Sequence, residues 1–173
     1  MELNKINSLV ELFFKKYKEK ESPTNQPFLK WLKIGKNDFL TWGQVEHNIR
    51  ILSEYLSQNL SKADRCILLS ENRPEWLISD IAIMNAGGVT VPLFTTYSEK
   101  DYEYIIKDCE PKICIVSNNI QFKKIEKFIS KNTKVLSIEN FNEKIESIQN
   151  ILEKYSKGEI NPIFLDYNQE IRR

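Results

Sequence analysis

The feature of this sequence that most restricts its fold is a series of short apolar runs that alternate with stretches of helical periodicity. Residues 66–69 (Cys-Ile-Leu-Leu) and 113–116 (Ile-Cys-Ile-Val) are continuous apolar runs, typical of strands buried on both faces of a sheet. Between them, apolar residues recur every three or four positions, which predicts helices. Alternating strands and helices predict an α/β fold, with a mostly parallel sheet and helices on both faces.

Hydroxyl and amide side chains mark where the predicted helices begin. Thr41 and Ser98 each lie three residues before a Gln or an Asp, which is the arrangement of a capping box. Asn72 and Asn119 are the predicted caps of two further helices. The last helix is predicted over residues 141–155, where apolar side chains recur at helical spacing.

Glycine, proline and tryptophan residues give further information on the strands and on the core. Gly87-Gly88 ends one predicted helix, and we expect it to let that helix and the following strand pass closely. Pro92 lies in the next strand, which places the end of that strand near a sheet edge or a loop. Trp42 and Trp76 fall on predicted apolar helix faces, so we interpret both as core anchors.

The chain is predicted to be one domain with two appendages, since 173 residues are close to the ordinary size of about 150 residues per domain. Residues 1–40 are predicted to form an N-terminal helix, with Leu9, Leu12, Phe13 and Tyr17 on one face, and two short strands. Those strands, Phe28–Ile34 and Phe39–Thr41, are expected to pair as a hairpin. Residues 41–156 form the β/α unit, and residues 157–173 form a tail that we interpret as an incomplete domain end.

Composition and special residues exclude several classes of protein. The chain carries 25 basic and 24 acidic residues, so it lacks the basic excess of nucleic-acid binders. A single histidine, His47, rules out a multi-histidine metal site, and no serine or cysteine is identified as its partner in catalysis. Cys66, Cys109 and Cys114 are an odd number of cysteines in apolar surroundings, which predicts buried free thiols and a cytoplasmic location.

The N-terminal helix leaves one question of location open. No run approaches the roughly 18 apolar residues of a membrane span, and no signal peptide is recognisable. Lys15, Lys16, Lys18 and Lys20 lie near the end of the predicted helix, so the helix could lie on an anionic membrane surface. The favoured interpretation is that its apolar stripe packs on its own domain. We therefore predict a cytoplasmic protein and keep a peripheral membrane contact as an alternative.

Three segments at the carboxyl ends of predicted strands are the candidate ligand sites. They are Ser70-Glu71-Asn72, Phe94-Thr95-Thr96 and Ser117-Asn118-Asn119, which offer hydroxyls or helix N-termini to an anion. The same residues serve helix capping and turns, and this structural interpretation is the favoured one. The five glycines form neither G-x-G-x-x-G nor G-x-x-x-x-G-K, so the two common phosphate-loop signatures are absent.

Several segments together resemble adenylate-forming enzymes, and in particular long-chain acyl-CoA synthetases. Phe39–Val45 resembles the opening hydroxyl-aromatic motif of the family, and Ile67–Trp76 resembles its strand and helix start. Ala82–Leu93 is similar to the alanine-glycine turn and proline-ended strand, and Phe94–Ser98 and Tyr104–Asp108 continue in register. The resemblance covers about residues 5 to 140 and implies the first subdomain of that fold.

The resemblance implies a parent enzyme that activates a long-chain fatty acid with ATP and passes the acyl-adenylate to coenzyme A, with Mg²⁺ as cofactor. The family's phosphate loop, its ribose-binding acidic motif, its Thr-Glu element and its lysine-bearing domain have no counterpart in the sequence. We therefore assign no catalytic, cofactor-binding or metal-binding residue. The chain is interpreted as an N-terminal fragment that is inactive alone and binds neither ATP, Mg²⁺ nor CoA strongly.

The resemblance also implies which partners the chain has. In the parent enzyme these are the fatty acid, ATP, CoA and the remainder of the large domain, with no nucleic acid. An isolated first subdomain should expose apolar surface and associate. The alternative is a stand-alone, non-catalytic α/β interaction module.

Overall fold

Two sheets and six helices organise the described part of the chain. The computed structural model describes residues 8–19, 23–33 and 36–156. Its helices are α1 (Leu9–Glu19), α2 (Trp42–Ser57), α3 (Pro74–Asn85), α4 (Glu99–Cys109), α5 (Asn119–Ile125) and α6 (Ile148–Ser156), with a short 3-10 turn at Pro23–Asn25. Its strands are β1 (Pro27–Lys33), β2 (Lys36–Thr41), β3 (Arg65–Leu69), β4 (Val89–Leu93), β5 (Ile113–Val116), β6 (Lys134–Ser137) and β7 (Glu146–Ser147).

The larger sheet has five parallel strands in the order β4-β3-β5-β6-β7. In β3, Cys66 is opposite Thr90 on one side and opposite Ile113 on the other, so β3 and β5 lie in the interior of the sheet. The predicted α/β class and parallel sheet are confirmed. The prediction from Pro92 is also confirmed, because β4 is an edge strand and does not pair on its outer side within the described residues.

Helices cover both faces of this sheet, as predicted, because alternate residues of one strand enter two separate cores. Cys66 and Leu68 face the core built with α1, α2, α3 and α6, whereas Ile67 and Leu69 face the core built with α4 and α5. All four side chains have 0% exposure. A strand whose alternate side chains pack into two cores needs an apolar residue at every position, which explains the continuous apolar run.

The N-terminal segment packs on the first core. β1 and β2 form the predicted antiparallel hairpin, with Leu29 opposite Leu40, although Ile34 and Gly35 lie outside the described residues. The predicted apolar face of α1 is wrong in detail, because Leu9 is 61% exposed and the buried residues are Val10, Phe13 and Phe14. The Phe13 and Phe14 rings contact each other at a centroid distance of 5.3 Å, and Phe13 stacks on Trp42 at 5.6 Å. These contacts turn the buried face of α1 away from the predicted one.

Both predicted capping boxes are present. The Gln44 amide donates to the Thr41 hydroxyl at 3.2 Å, and the Gln44 side chain accepts from the Thr41 amide at 2.8 Å. Ser98 and Asp101 exchange the corresponding pair of bonds at the start of α4. These reciprocal bonds satisfy amide groups that the first helical turn leaves without partners.

Three other predicted helix boundaries are wrong. Asn72 does not cap α3, since Arg73 occupies the N-cap position and makes no capping bond with its side chain. Asn118 rather than Asn119 caps α5, because its side chain accepts from the Gln121 amide at 3.2 Å. The helix predicted over residues 141–155 begins only at Ile148, because a turn at Asn142 and the short strand β7 come first.

The predicted domain boundaries stay a prediction. Residues 157–173, the predicted tail, lie outside the described residues. Within the described ranges, α1 and the β1–β2 hairpin contribute side chains to the same core as α2 and α3. No helix of the described residues is long and apolar enough to cross a membrane.

The turn between α3 and β4 depends on its two glycines. Gly87 has a φ of 84°, in the left-handed region that residues with a Cβ rarely adopt. A Cβ on Gly88 would lie 3.0 Å from the Ile83 side chain and 3.2 Å from the Leu60 side chain. The close passage of helix and strand that the sequence predicts is therefore confirmed at Gly88.

Gly87→Ala should lower the free energy of unfolding by about 1–2 kcal/mol, because the left-handed backbone would then carry a Cβ. Ala63 provides the matched control, since its φ of 66° is also left-handed and its amide donates to the Gly87 carbonyl at 2.8 Å. Ala63→Gly removes a Cβ from this conformation and should not lower the stability. Urea unfolding followed by circular dichroism measures both effects. An unchanged midpoint for Gly87→Ala would contradict this description of the turn.

Candidate functional site

The order of the strands locates the crevice at which a sheet of this kind ordinarily binds ligands. The chain passes from β3 to β4 on one side of the sheet and then returns to place β5 on the other side of β3. In open α/β sheets, ligands bind at such a topological switch point, outside the carboxyl ends of the two strands. The candidate segments at residues 70–72 and 117–119 follow β3 and β5 and therefore flank this crevice.

Side chains of the protein itself bridge the crevice. The Gln121 side-chain amide donates to a carboxylate oxygen of Glu71 at 2.7 Å, which connects α5 to the segment after β3. Ser117 is fully buried beside this pair, and the Ser117 backbone amide donates to the Leu69 carbonyl at 3.0 Å. Asn118 caps α5, so its side chain serves the backbone, as the structural interpretation of this segment predicts.

The charge of Glu71 determines which ligands the crevice can accept. Burial raises the pKa of the Glu71 carboxyl, but hydrogen bonds from its own backbone and the Gln121 amide, together with the positive charge of Arg73, lower it below its ordinary value of 4.5. Glu71 is therefore ionised at neutral pH. Because a phosphate placed here would meet a carboxylate, the crevice does not fit the phosphates of ATP or CoA.

The third candidate segment, Phe94-Thr95-Thr96, borders a separate cleft on the other side of β3. The Lys124 ammonium donates to the Thr95 carbonyl at 2.7 Å, and the Tyr102 hydroxyl donates to the Phe94 carbonyl at 2.8 Å. This β3–β4 cleft has a volume of about 330 Å³ and is lined by Ser70, Glu71, Asn72, Trp76, Pro92, Leu93, Phe94 and Thr95. The structure thus brings two of the three predicted segments together around one opening.

Arg73 connects elements that are far apart in the sequence. Its guanidinium binds the Glu75 carboxylate at 2.9 Å and the Glu139 carboxylate at 2.7 Å, so it joins the start of α3 to the residues after β6. Burial lowers the pKa of the Arg73 guanidinium. The two carboxylates raise it by more than burial lowers it, so the net shift is upward. Neither Arg73 nor Glu139 stands out in the sequence, because the two residues are 66 positions apart and no motif connects them.

The cavity beside Arg73 has a volume of about 550 Å³, which is larger than that of the β3–β4 cleft. Apolar side chains of the hairpin, α3 and α6, including Trp31, Ile78 and Leu152, form part of its wall. The charged residues on its rim are Arg73, Glu75, Glu139 and Glu153. Because Glu75 and Glu139 already neutralise Arg73, this cavity presents no free positive charge to an anionic substrate.

The remaining sequence candidates occupy structural positions. His47 is exposed on α2, as its place on the polar side of the helix predicts, and the described residues contain no group of three or more His, Cys, Asp or Glu suited to a metal ion. Burial raises the pKa of the Cys66 thiol to about 12 and also raises that of Cys114. Thiols with such high pKa values are poor nucleophiles, so the interpretation as buried apolar residues is confirmed for Cys66 and Cys114. The prediction is wrong for Cys109, which is only partly buried at the end of α4.

The two predicted tryptophan anchors have different surroundings. Trp42 contacts Phe28 in a tilted arrangement, with ring centroids 3.8 Å apart, and packs on the first core. Trp76 is partly buried, packs against the same core and also lines the β3–β4 cleft. The prediction of a core anchor is thus confirmed for both, and Trp76 contributes in addition to a surface that a ligand could reach.

A comparison with protein families places the chain in a group. The model of the AMP-binding enzyme family matches residues 16–166. The chain belongs to the AMP-binding enzyme family. The match covers most of the chain, including every strand of the five-stranded sheet, so the family predicted from the sequence motifs is confirmed.

Curated relatives match over a shorter stretch. The chain is 31% identical over 78 residues to the long-chain-fatty-acid–CoA ligase ACSBG1 of Rattus norvegicus, and 35% identical over 78 residues to fatty acyl-CoA synthetase A of Dictyostelium discoideum. Each alignment covers 45% of this chain and 11% of the relative. The chain therefore spans about a tenth of the length of these relatives.

Solved structures share the fold. VinN superimposes with a TM-score of 0.74 at 13% identity, over 92% of this chain and 37% of its own. The anthranilate CoA ligase AuaEII, solved with anthranoyl-AMP, superimposes with a TM-score of 0.68 at 19% identity, over 83% of this chain and 27% of its own. These similarities confirm that the α/β architecture is the first part of an adenylate-forming enzyme fold.

Glu71→Gln should remove a pH-dependent contribution to stability. Because the pKa of Glu71 is lower in the folded state than its ordinary value of 4.5, its contribution is present above that value and is lost as the pH falls through the folded pKa. The stability difference between the wild type and Glu71→Gln should therefore shrink as the pH falls below the ordinary carboxyl pKa of 4.5 and through the lower folded-state pKa. Glu143→Gln, an exposed carboxylate in the loop after β6, is the control. A difference that does not change with pH would contradict the ionised Glu71–Gln121 contact.

Proposed function

We propose that this chain is part of a long-chain fatty acid–CoA ligase. The observation that carries the proposal is the 31–35% identity to curated relatives whose names specify long-chain fatty-acid–CoA ligases or a fatty acyl-CoA synthetase. In the reaction, a fatty carboxylate oxygen attacks the α-phosphate of ATP and pyrophosphate leaves. The sulfur of CoA then attacks the acyl carbon and AMP leaves. Mg²⁺ offsets charge on the transferring phosphates.

The proposed contribution of the described residues is structural. The Glu71 carboxylate makes the switch-point crevice unsuitable for phosphate, and the described residues form no acidic cluster suited to Mg²⁺. We therefore assign no step of the reaction to a side chain of this chain. Within the enzyme, the parallel sheet and its two covering layers would provide a rigid wall against which other parts of the protein position ATP, CoA and the fatty acid. By this proposal the 173-residue chain alone is inactive.

The proposed protein partner is the remainder of the synthetase. Several large apolar side chains are exposed to solvent, including Leu32 at 87%, Tyr104 at 72% and Ile120 at 69%. Exposed apolar surface of this kind supports an interface with other protein surface. The proposed location is cytoplasmic, supported by the three free cysteines. The burial of Phe13 and Phe14 in the core favours this location over a membrane contact of α1.

A stand-alone interaction module is the second candidate. One observation favours it: both faces of the five-stranded sheet are already covered by helices, so the described residues bury two cores of their own. Size-exclusion chromatography with light scattering separates the two proposals. A subdomain that normally contacts the rest of an enzyme should self-associate, whereas a stable monomer would favour the module.

A chimera tests the ligase proposal directly. The stretch of Dictyostelium fatty acyl-CoA synthetase A that aligns with this chain is replaced by the aligned residues of this chain, and palmitoyl-CoA formation is measured with palmitate, ATP and CoA. We expect activity, because the transplanted residues should rebuild the same subdomain. The 173-residue chain in the same assay should show no ATP–pyrophosphate exchange.

The controls make the outcomes distinct. A second chimera carries the corresponding stretch of AuaEII. That protein shares the fold of this chain with a TM-score of 0.68 but is an anthranilate CoA ligase. A folded but inactive first chimera beside an active AuaEII chimera would contradict the long-chain ligase proposal. Measurable exchange by the isolated chain would overturn the proposed structural role.

A further inference from the structure

We propose that the β3–β4 cleft binds an organic cation, namely an ammonium or guanidinium group carried on an apolar body. The cleft lies between the segments that follow β3 and β4 and holds about 330 Å³. This site goes beyond the ligase function, whose substrates are anions, and it does not depend on that function. Three properties of the lining carry the proposal: a negative charge without a direct ion pair, an excess of hydrogen-bond acceptors, and aromatic walls.

The negative charge is that of Glu71, which lines the cleft. Its carboxylate is held by neutral donors, chiefly the Gln121 amide at 2.7 Å, and no direct ion pair to it is found among the described residues. The basic side chains nearby are engaged elsewhere. Arg73 binds Glu75 and Glu139, and Lys124 binds the Thr95 carbonyl. A cation entering the cleft would therefore meet an ionised carboxylate that has no direct ion pair, with the charges of Arg73 and Lys124 held on other groups.

The polar groups of the cleft offer acceptors, because their donors are already used. The Ser70 hydroxyl donates to the Glu71 carbonyl at 2.9 Å, which leaves its oxygen free to accept. The Glu71 carboxylate of the same lining carries acceptors only. An ammonium or guanidinium group carries only donors, so its chemistry complements this set.

The walls of the cleft suit an apolar body. Trp76 and Phe94 face the opening together with Pro92, and Phe94 remains 68% exposed. Aromatic faces attract cations through their negative quadrupole, and tryptophan is the strongest of them. A neutral apolar ligand would gain contact with these walls but would leave the Glu71 charge unused. An anion would be repelled by that charge.

The cleft is held open by contacts from the helices behind it. Gln121 fixes the segment after β3 through Glu71, and Lys124 fixes the segment after β4 through the Thr95 carbonyl. Both residues belong to α5, so one helix contacts both segments that line the cleft. The Tyr102 hydroxyl adds a bond to the Phe94 carbonyl at 2.8 Å. A preformed site loses less conformational entropy when it binds a ligand.

The test titrates the 173-residue chain with benzylamine and benzylguanidine, and uses benzyl alcohol and benzoate as the neutral and anionic probes of similar shape. The indole N–H of Trp76 is followed by NMR, with Trp42 as the internal control because it lies on the hairpin side of the core. We expect saturable shifts of Trp76 with both cations. Benzyl alcohol should bind about tenfold more weakly, since it lacks the charge-assisted bond to Glu71.

Variants distinguish the charge from the walls. Glu71→Gln should weaken benzylamine binding about tenfold while leaving benzyl alcohol unchanged. Phe94→Ala should weaken both ligands and leaves Glu71 in place, so it keeps the test informative if Glu71→Gln unfolds. Glu143→Gln is the matched control and should bind like the wild type. Equal binding of benzylamine, benzyl alcohol and benzoate, or no shift of Trp76 with any cation, would overturn the proposal.

A last arm distinguishes the source of the cation. Short capped peptides that contain one arginine or one lysine are compared with the free amines, and the same peptides with citrulline or norleucine are the uncharged controls. Tighter binding of the charged peptides would identify the occupant as a basic side chain of a protein. Tighter binding of the free amines would identify it as a small molecule. Either result supports a cation site, whereas equal binding of the uncharged peptides would contradict one. Failure of this test leaves the ligase assay unaffected, so the two proposals fail separately.

Discussion

The two-sided burial of β3 and β5 is the constraint on which the rest of the structure depends. Each of these strands places alternate side chains into two cores, and residues 66–69 and 113–116 have 0% exposure. The strands can exist only if both faces are covered, so α1, α2, α3 and α6 must lie on one side and α4 and α5 on the other. Parallel pairing in turn requires the helical crossovers that supply these layers.

The same arrangement determines where chemistry can take place. Because the chain places β4 and β5 on opposite sides of β3, it creates a crevice at the carboxyl ends of β3 and β5. In this protein Glu71 and Gln121 bridge that crevice. An ionised carboxylate therefore lies at the position where open α/β sheets ordinarily bind a ligand. The accessible opening is therefore the β3–β4 cleft next to it.

Much of this fold could be predicted from the sequence, because its strongest signals are local. The continuous apolar runs predicted the central strands, the Thr41 and Ser98 capping boxes predicted two helix starts, and Pro92 predicted an edge strand. The errors arose where tertiary contacts decide. Asn72 lost the cap position to Arg73, whose guanidinium is held by Glu139 from a distant loop. The buried face of α1 is set by the packing of Phe13 on Trp42 rather than by the spacing of Leu9 and Tyr17.

The candidate site was only partly predictable. The segments at residues 70–72, 94–96 and 117–119 were identified because each follows a predicted strand, and the carboxyl ends of parallel strands lie at one edge of the sheet. The interpretation of these segments as capping and turn residues is correct for Asn118 in the segment after β5. It misses the contact between the Glu71 carboxylate and the Gln121 amide. That contact joins residues 50 positions apart, and no periodicity relates them. A glutamate carboxyl is ionised at neutral pH without such a contact. The position of this charge in the crevice required the structure, and that position decides between an anion and a cation site.

Hydrogen exchange measured by NMR tests the central claim most directly. If β3 and β5 are the strands on which both cores depend, the amides of residues 66–69 and 113–116 should exchange only through global unfolding, and their exchange free energies should equal the stability measured with denaturant. Amides of the β1–β2 hairpin should exchange through smaller openings, because that sheet has only two strands. Central-strand amides that exchange as fast as those of the hairpin would contradict the account.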